Sequence, residues 1–138
     1  MACLSDKFVI LTKGFDDLID ITSKVQDIVS SFKVKTGIIN ISVLSSTASI
    51  ITLEDEPGLS FDLPKLLENI VPINKIYQHD NSWHDGNANA HLKAALLGGS
   101  LSLSVVDGKI GLSTWQKIAL IDFDNKSANR QIVVNVAY

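Results

Sequence analysis

The chain has 138 residues and a mass of 15.0 kDa, with 46% hydrophobic and 20% charged residues. This composition excludes a disordered protein and favours a single domain spanning residues 1–138. The net charge of −3 argues against nonspecific nucleic-acid binding, which needs a basic surface. Because Cys3 is the only cysteine, a disulfide framework is excluded, and we expect a reducing, cytoplasmic location.

The first third of the chain predicts strands around one helix. β-branched and aromatic residues indicate a strand over Lys7–Thr12, and this apolar run is too short to span a membrane. Residues 15–21 fit either a helical turn or a strand. Apolar residues at steps of three and four predict a helix over Thr22–Phe32, where Ser23 and Gln26 have capping-box spacing. Two further β-rich runs are Thr36–Leu44 and Ala48–Leu53.

The middle third contains all three prolines of the chain and is predicted to be the least regular part. Glu54–Gly58 is an acidic turn, and Asp62 and Pro64 open a short helix that continues to Asn69. The segment Pro72–Asn87 is polar and shows no periodicity. Irregular segments of this length are uncommon in small domains and are often functional.

The last third predicts one helix followed only by strands. The helix begins at Asn87 or Asn89 and ends at Gly98, and Asp107-Gly108 indicates a hairpin turn. The predicted strands are Ser100–Val106, Lys109–Leu112, Trp115–Phe123 and Gln131–Tyr138. The element order predicts an α+β protein with a mainly antiparallel, β-sandwich-like core and two or three short helices.

All three histidines lie in one polar segment, at His79, His84 and His91. Neutral imidazoles are common ligands of zinc and other transition metals, and Asp80 and Asp85 are the nearest carboxylates that could orient a ring. The spacings of five and seven residues are not the helical i, i+4 pairing of zinc proteases. Composition alone favours a polar loop whose histidines form turns and caps.

Several other residues have both a functional and a structural interpretation. Glu54 is a catalytic or magnesium-binding carboxylate, or part of a solvated turn. Arg130, the only arginine, is suited to a bidentate grip on a phosphate or carboxylate, or is a surface charge. Lys93 is interpreted either as a cation that binds an anion or as a solvated helix residue. Trp115 lies in a strand pattern that indicates a core position, whereas Trp83 is a candidate stacking or interface residue.

Patches in chain order together resemble one family. Leu44–Glu54 reads Leu-Ser-Ser-Thr-Ala-Ser-Ile-Ile-Thr-Leu-Glu, which resembles a His-Thr-Thr-Ala block ending in glutamate in the YjbQ-like proteins, also called the secondary thiamine-phosphate synthase family. Asp62 matches the aspartate that follows this block. Tyr77–Asp80 reads Tyr-Gln-His-Asp and matches the family pattern Tyr-x-His-Asp.

The second half of the chain continues the resemblance. Gly86–Gly98 contains Asn-Ala-Asn-Ala-His and matches the family's Asn-Ala-x-x-His helix, which ends in glycine. Ser113–Gln116 resembles its Gly-Thr-Trp-Gln, and Arg130 falls at its arginine near the last strand. The combination of these patches, in this order, is specific to the family.

The resemblance implies a compact α+β fold that assembles as a homotrimer, with its site near a subunit interface. It implies a weak thiamine-phosphate synthase activity, which joins a hydroxymethylpyrimidine diphosphate to a thiazole phosphate. The implied catalytic residues are His79, His91 and Glu54, and a divalent metal, zinc or magnesium, is expected at the two histidines. Binding of the small phosphorylated molecule is expected from Arg130, Asp62, Asn87, Lys93, Trp115 and Gln116. No nucleic-acid or membrane partner is expected.

One departure from the family pattern bears on activity. The family's His-Thr-Thr-Ala begins with histidine, and Ser45 stands at that position here. A serine hydroxyl is a poor metal ligand and does not titrate near neutral pH. The alternative function is therefore a non-catalytic trimer that binds a small ligand or metal and has lost the chemistry. His84, which is additional to the family motif, is a candidate replacement.

Overall fold

The computed structural model describes residues 1–138, which form eight strands and four helices. The strands are β1 (Cys3–Thr12), β2 (Asp17–Asp20), β3 (Thr36–Val43), β4 (Ala48–Glu54), β5 (Ser100–Val106), β6 (Lys109–Ile110), β7 (Gln116–Asp122) and β8 (Ala128–Ala137). The helices are α1 (Thr22–Ser31), α2 (Pro57–Ile70), α3 (Gln78–Trp83) and α4 (Ala88–Leu97). The predicted α+β class is confirmed, with four helices instead of two or three. None of the helices is both long enough and apolar enough to cross a membrane.

Two antiparallel sheets form the core. The first has the order β1-β8-β3-β5-β6, and the second has the order β2-β7-β4. Because side chains alternate along a strand, β3 and β8 each direct every second residue towards the second sheet. The main core cluster accordingly includes Ile39, Ile41, Val134 and Val136 from the first sheet and Leu120 from the second. This arrangement confirms the mainly antiparallel, sandwich-like core.

The second sheet is buried on both faces. Ile118 and Leu120 of β7 face the first sheet, whereas Ile121 packs with Leu67 of α2 and Ala94 of α4 in a separate cluster. A strand that is covered on both sides has a continuous apolar sequence, as β7 has. The two helices therefore form a layer on the second sheet, and this layer carries the histidine-bearing segment.

The structure corrects the middle third of the chain. Helix α2 begins at Pro57, not near Asp62, because the Glu56 carboxylate accepts hydrogen bonds from the backbone nitrogens of Gly58 at 2.7 Å and Leu59 at 2.9 Å. The acidic turn is thus the cap of a longer helix that contains Pro64. The segment expected to be irregular contains α3, and the ambiguous residues 15–21 contain strand β2.

The predicted hairpin turn and the predicted end of α4 are confirmed, whereas the predicted cap of α1 is not. Asp107 and Gly108 have φ angles of 51° and 78°, as a tight hairpin turn requires, and α4 ends at Gly98 with φ of 86°. The capping box of α1 is wrong, because the Gln26 side chain bonds to the β5–β6 hairpin and Ser23 makes no side-chain cap. Tertiary partners therefore replace the local capping interaction.

Candidate functional site

The histidine-bearing segment is positioned by a cap that comes from another helix. Asn87 is the N-cap residue of α4, but its side chain makes no capping hydrogen bond. The Asp80 carboxylate instead accepts a hydrogen bond from the backbone nitrogen of Ala88 at 3.1 Å. A carboxylate at a helix N-terminus is favoured by the free N–H groups and the helix dipole. This bond fixes α3 on α4 and so places His79, next to Asp80, near His91.

His79 and His91 form a close pair. Their ring centroids are 4.7 Å apart, and the planes are tilted by 59°. The His79 Nε2 atom lies 3.4 Å from Oδ1 of Asp85, which confirms Asp85 as a carboxylate beside a histidine ring. We call His79 and His91 the histidine pair. A cavity of about 350 Å³ lies beside it and is also lined by Tyr77 and Leu92.

A second cavity of about 350 Å³ is also lined by His91. It is lined by Ser45, Ser46 and the C-terminal end of α4. Ser45, where the family resemblance implies a histidine, thus faces the same space as His91. Its hydroxyl accepts a hydrogen bond from the backbone nitrogen of Thr47 at 3.1 Å and so stabilises the turn after β3. His91 therefore contributes to the lining of both cavities.

His84 does not replace the missing histidine. It ends α3 in a left-handed conformation with φ of 58°, and its side chain is exposed. It lines neither of the cavities beside His91. The structure therefore brings together His79 and His91 but leaves His84 apart.

Arg130 is bound by carboxylates of its own chain. Its Nε donates to Oδ2 of Asp122 at 2.6 Å and its Nη2 donates to Oδ1 of the same carboxylate at 3.0 Å. Nη2 also reaches Thr47 Oγ1 at 2.9 Å and Asp124 Oδ2 at 3.4 Å. We call these four residues the arginine network. The predicted bidentate grip exists, but it holds an internal carboxylate, and these hydrogen bonds raise the pKa of Arg130.

Asp124 is the connecting member of the arginine network. Burial raises the pKa of its carboxyl, but hydrogen bonds from the Asn125 backbone and from the Thr47 and Arg130 side chains outweigh burial, so its pKa is lowered. Sequence analysis missed Asp122 and Asp124. Their signal was the pair of acids at alternate positions at the end of an apolar strand.

Asn87 lies between the arginine network and the histidine pair. In one orientation, its amide nitrogen donates to Oδ1 of Asp124 at 3.3 Å. In the reversed orientation, which satisfies the local partners better, the nitrogen donates to Asp85 at 3.0 and 3.1 Å and to His79 Nε2 at 3.3 Å. The side chain is nearly buried, so its amide is committed to these groups. Asn87 thus orients the ring of His79. Both residues were predicted to bind the ligand.

Lys93 is buried beneath the helical layer. Its side chain has 0% exposure, and Nζ lies 3.4 Å from Glu68 and 3.7 Å from Asp16. Burial raises the pKa of Asp16, the nearby Lys93 lowers it, and Glu68 raises it, with a net upward shift. The solvated position considered for Lys93 is therefore wrong. Its anionic partners belong to the same chain, because α4 directs this residue towards α2.

The remaining predicted residues lie outside the two cavities beside His91. Glu54 is exposed at the end of β4, opposite Gln116 of β7, and Asp62 is exposed on α2. The Gln116 side chain accepts a hydrogen bond from the Ser113 backbone at 3.2 Å. Trp115 is 68% exposed, so the core position indicated by its strand pattern is wrong. It precedes β7 in a turn, where the side-chain alternation of the strand does not apply.

The side chains at the histidine pair do not form a complete site for the expected divalent metal. No group of three or more histidine, cysteine, aspartate or glutamate side chains is arranged to hold a metal ion. Zinc sites normally use three or four protein ligands, and magnesium prefers oxygen ligands. The histidine pair supplies two imidazoles, and Asp85 is engaged at one of them. One chain alone therefore lacks a complete donor set for either ion.

The fold and its histidine pair define a class: small α+β proteins in which a helical layer on an antiparallel sandwich carries a histidine-lined surface. The sequence profile described as UPF0047 protein YjbQ-like matches residues 6–138. The chain belongs to this family.

Relatives and solved structures agree with this assignment. The chain is 40% identical to a UPF0047 protein of Methanothermobacter thermautotrophicus over 88% of this chain and 82% of the relative. It is 39% identical to a UPF0047 protein of Archaeoglobus fulgidus over 85% and 89% of the two chains. A YbjQ-like protein of unknown function from Sulfolobus solfataricus has a TM-score of 0.91 and 33% identity, covering 98% of this chain and 96% of its own.

Proposed function

We propose that this protein binds a small phosphorylated molecule at the histidine pair and has a weak thiamine-phosphate synthase activity. The reaction joins a hydroxymethylpyrimidine diphosphate to a thiazole phosphate. The observation that carries this proposal is the 4.7 Å approach of the His79 and His91 rings, with two cavities that His91 lines. Two adjacent imidazoles can donate hydrogen bonds to phosphate oxygens when protonated and can transfer protons near neutral pH.

The reaction breaks the bond between the pyrimidine methylene carbon and the diphosphate oxygen and forms a bond from that carbon to the thiazole nitrogen. The electron pair of the broken bond leaves with diphosphate. A protonated imidazole of His79 or His91 stabilises the negative charge that develops on the departing group. Arg130 and Lys93 each face two carboxylates of the same chain, so they offer little free charge to diphosphate. This shortage of cations supports a weak activity.

A homotrimer with its site near a subunit interface is the proposed assembly, in the cytoplasm. Trp115 is 68% exposed and Trp83 is 72% exposed, which is typical of residues that pack against a neighbouring molecule. The proposed ligand contacts of Trp115, Gln116 and Asp62 lie outside the two cavities, as does the proposed catalytic carboxylate of Glu54. In such an assembly, these side chains act from surfaces other than the two cavities. Sedimentation of the purified protein tests the assembly, and a monomer contradicts it.

The activity is tested by incubating the purified protein with both substrates and measuring the formation of thiamine phosphate. We expect slow turnover that is reduced at least tenfold by His79→Ala or by His91→Ala, which is about 1.4 kcal/mol of transition-state stabilisation. His84→Ala is the matched control and keeps the wild-type rate, because His84 lines neither cavity. Absence of product in the wild-type protein, or equal loss in all three variants, contradicts the proposal.

The second candidate function is ligand binding without turnover. The observation that favours it is the position of Ser45, which lies in the cavity of His91 at the family's histidine position. This candidate predicts calorimetric binding of thiazole phosphate with no product. Restoring the histidine by Ser45→His then yields measurable turnover or bound metal, with Ser46→His, on the adjacent residue, as the control. Turnover in the wild-type protein that His79→Ala abolishes contradicts this candidate.

A further inference from the structure

The largest cavity of the chain is remote from the histidine pair. It has a volume of about 620 Å³ and lies between the C-terminal end of α1 and the β5–β6 hairpin, lined by Lys33, Lys35, Lys109 and Asp107 among others. We call it the lysine cavity. It lies before β3, whereas Ser45 follows that strand, so roughly 25 Å separates it from the histidine site at about 3.3 Å per strand residue. Its volume is in the range of small-molecule sites.

The lysine cavity carries positive charge that is only partly offset within the chain, by the single carboxylate of Asp107. The ion pairs of the protein involve Lys93, Lys117, Arg130 and His79, and none of the three lysines of the cavity takes part in one. Three lysines and one aspartate line this cavity, in a protein whose net charge is −3. Grouping like charges is unfavourable unless an anion reduces their repulsion. The local charge therefore points to an anionic ligand.

Hydrogen bonds between elements hold the walls of the lysine cavity in place. The Gln26 side chain donates to the Gly108 carbonyl at 3.1 Å and accepts from the Ile110 backbone nitrogen at 3.0 Å, which links α1 to the hairpin. The Gly108 nitrogen donates to the Lys35 carbonyl at 3.0 Å, which links the hairpin to the segment before β3. A site with fixed walls loses less conformational entropy when a ligand binds.

We propose that the lysine cavity binds a small anion that carries two phosphate groups. Three ammonium groups can each donate to phosphate oxygens, and the Ser30 hydroxyl adds a neutral donor. Val29 and Val34 are buried and form an apolar floor, which suits a compact organic diphosphate. A long polyanion such as RNA is disfavoured, because the net charge of the protein is −3 and a polyanion longer than the cavity gains no general electrostatic attraction from it.

The test is an NMR titration of the ¹⁵N-labelled full chain with inorganic diphosphate. We expect saturable shifts of the Lys35 and Gly108 amides. Replacing the three cavity lysines by glutamine weakens this binding about tenfold or more, and the control triple Lys7→Gln, Lys24→Gln and Lys65→Gln leaves it within about twofold. The control removes the same charge from exposed lysines elsewhere. Thermal melts of both triples verify that they fold.

Asp107→Asn is a second test that does not depend on losing binding. The variant removes the only carboxylate lining the cavity, and asparagine tolerates the left-handed φ of 51° before Gly108. We expect diphosphate to bind about two- to fivefold more tightly. Asp27→Asn, on α1 but outside the lining, is the control and leaves affinity unchanged.

Several outcomes overturn the proposal. Equal weakening by both lysine triples means that the binding is general electrostatic attraction. Amide shifts only around His79 and His91 place diphosphate at the histidine pair alone, which overturns the lysine site and leaves the proposed function standing. Tighter binding of a single-stranded RNA than of diphosphate overturns the assignment to a small anion. Shifts at the lysine cavity with none at the histidine pair support this site even if the proposed function fails.

Discussion

The arginine network and the histidine pair lie on either side of Asn87 but use their charges differently. The Arg130 side chain is 13% exposed and its partner Asp122 is 0% exposed, whereas His79 and its partner Asp85 are 34% and 45% exposed. Every charge in the network meets an opposite charge at short range. The two imidazoles share a single acid, Asp85, which is itself largely open to water, and they face open cavities. We therefore expect the network to stabilise the fold, whereas the histidine pair retains open space for the proposed ligand.

The largest expected effect comes from breaking the network. Arg130→Leu leaves Asp122 buried without its cation, and we expect a loss of about 3–5 kcal/mol in the free energy of unfolding, measured in urea. Arg130→Lys keeps the charge but not the bidentate geometry, so an intermediate loss is expected. An unfolding midpoint for Arg130→Leu equal to that of the wild type contradicts the structural role of the network.

Lys93→Met tests how much the other buried cation contributes to stability. The longer contacts at 3.4 and 3.7 Å join Lys93 to carboxylates that keep some access to water, so the expected loss is smaller, about 1–3 kcal/mol. Lys65→Met, on an exposed face of α2, is the control and changes the free energy of unfolding by less than about 0.5 kcal/mol. A loss in Lys93→Met greater than that in Arg130→Leu contradicts the ranking of the two cations.

The lowered pKa of Asp124 predicts an acid-sensitive fold. Its carboxyl has a lower pKa in the folded state than the 3.8 of the free side chain, so its ionised form stabilises the fold above that pH. This stability is lost as the pH falls below 3.8 and through the folded-state pKa. Urea midpoints from pH 7 down to pH 2.5 measure the loss, and Asp124→Asn shows a shallower decline at the acid end. An equally steep decline in this variant contradicts the prediction.

The smallest expected stability effects belong to the histidine pair. His79→Ala and His91→Ala remove half-buried rings with few partners, and we expect changes of about 0.5 kcal/mol or less in the free energy of unfolding. Binding of thiazole phosphate, measured by calorimetry, is expected to fall at least tenfold in both variants. Losses of stability as large as that of Arg130→Leu indicate instead that the pair is structural.

Local sequence signals predicted the parts of the fold that depend on neighbouring residues. Asp107-Gly108 fixed a hairpin turn because its left-handed angles follow from the residue types. The start of α2 was missed because Glu56 caps it, and glutamate is not among the usual capping residues. The partner of Arg130 was missed because Asp122 reaches it from a strand of the other sheet.

Only the part of the candidate site that lies in the family motifs was predicted from the sequence. The proximity of His79 and His91 followed from the family resemblance, not from their spacing. The burial of Lys93 could have been predicted from the sequence. This residue lies on the same face of α4 as Ala90, Ala94 and Leu97, at steps of three and four. A buried stripe that contains lysine predicts an internal ion pair, because a buried charge without a partner is costly.

A ligand site at the histidine pair is tested most directly by an NMR titration of the ¹⁵N-labelled histidine rings with thiazole phosphate. The chain has three histidines, so His84 serves as an internal control in the same spectrum. We expect the ring signals of His79 and His91 to shift together and saturate at one ligand concentration, while those of His84 stay in place. Unchanged signals from the pair, or an equal shift of His84, contradict a ligand site at the histidine pair.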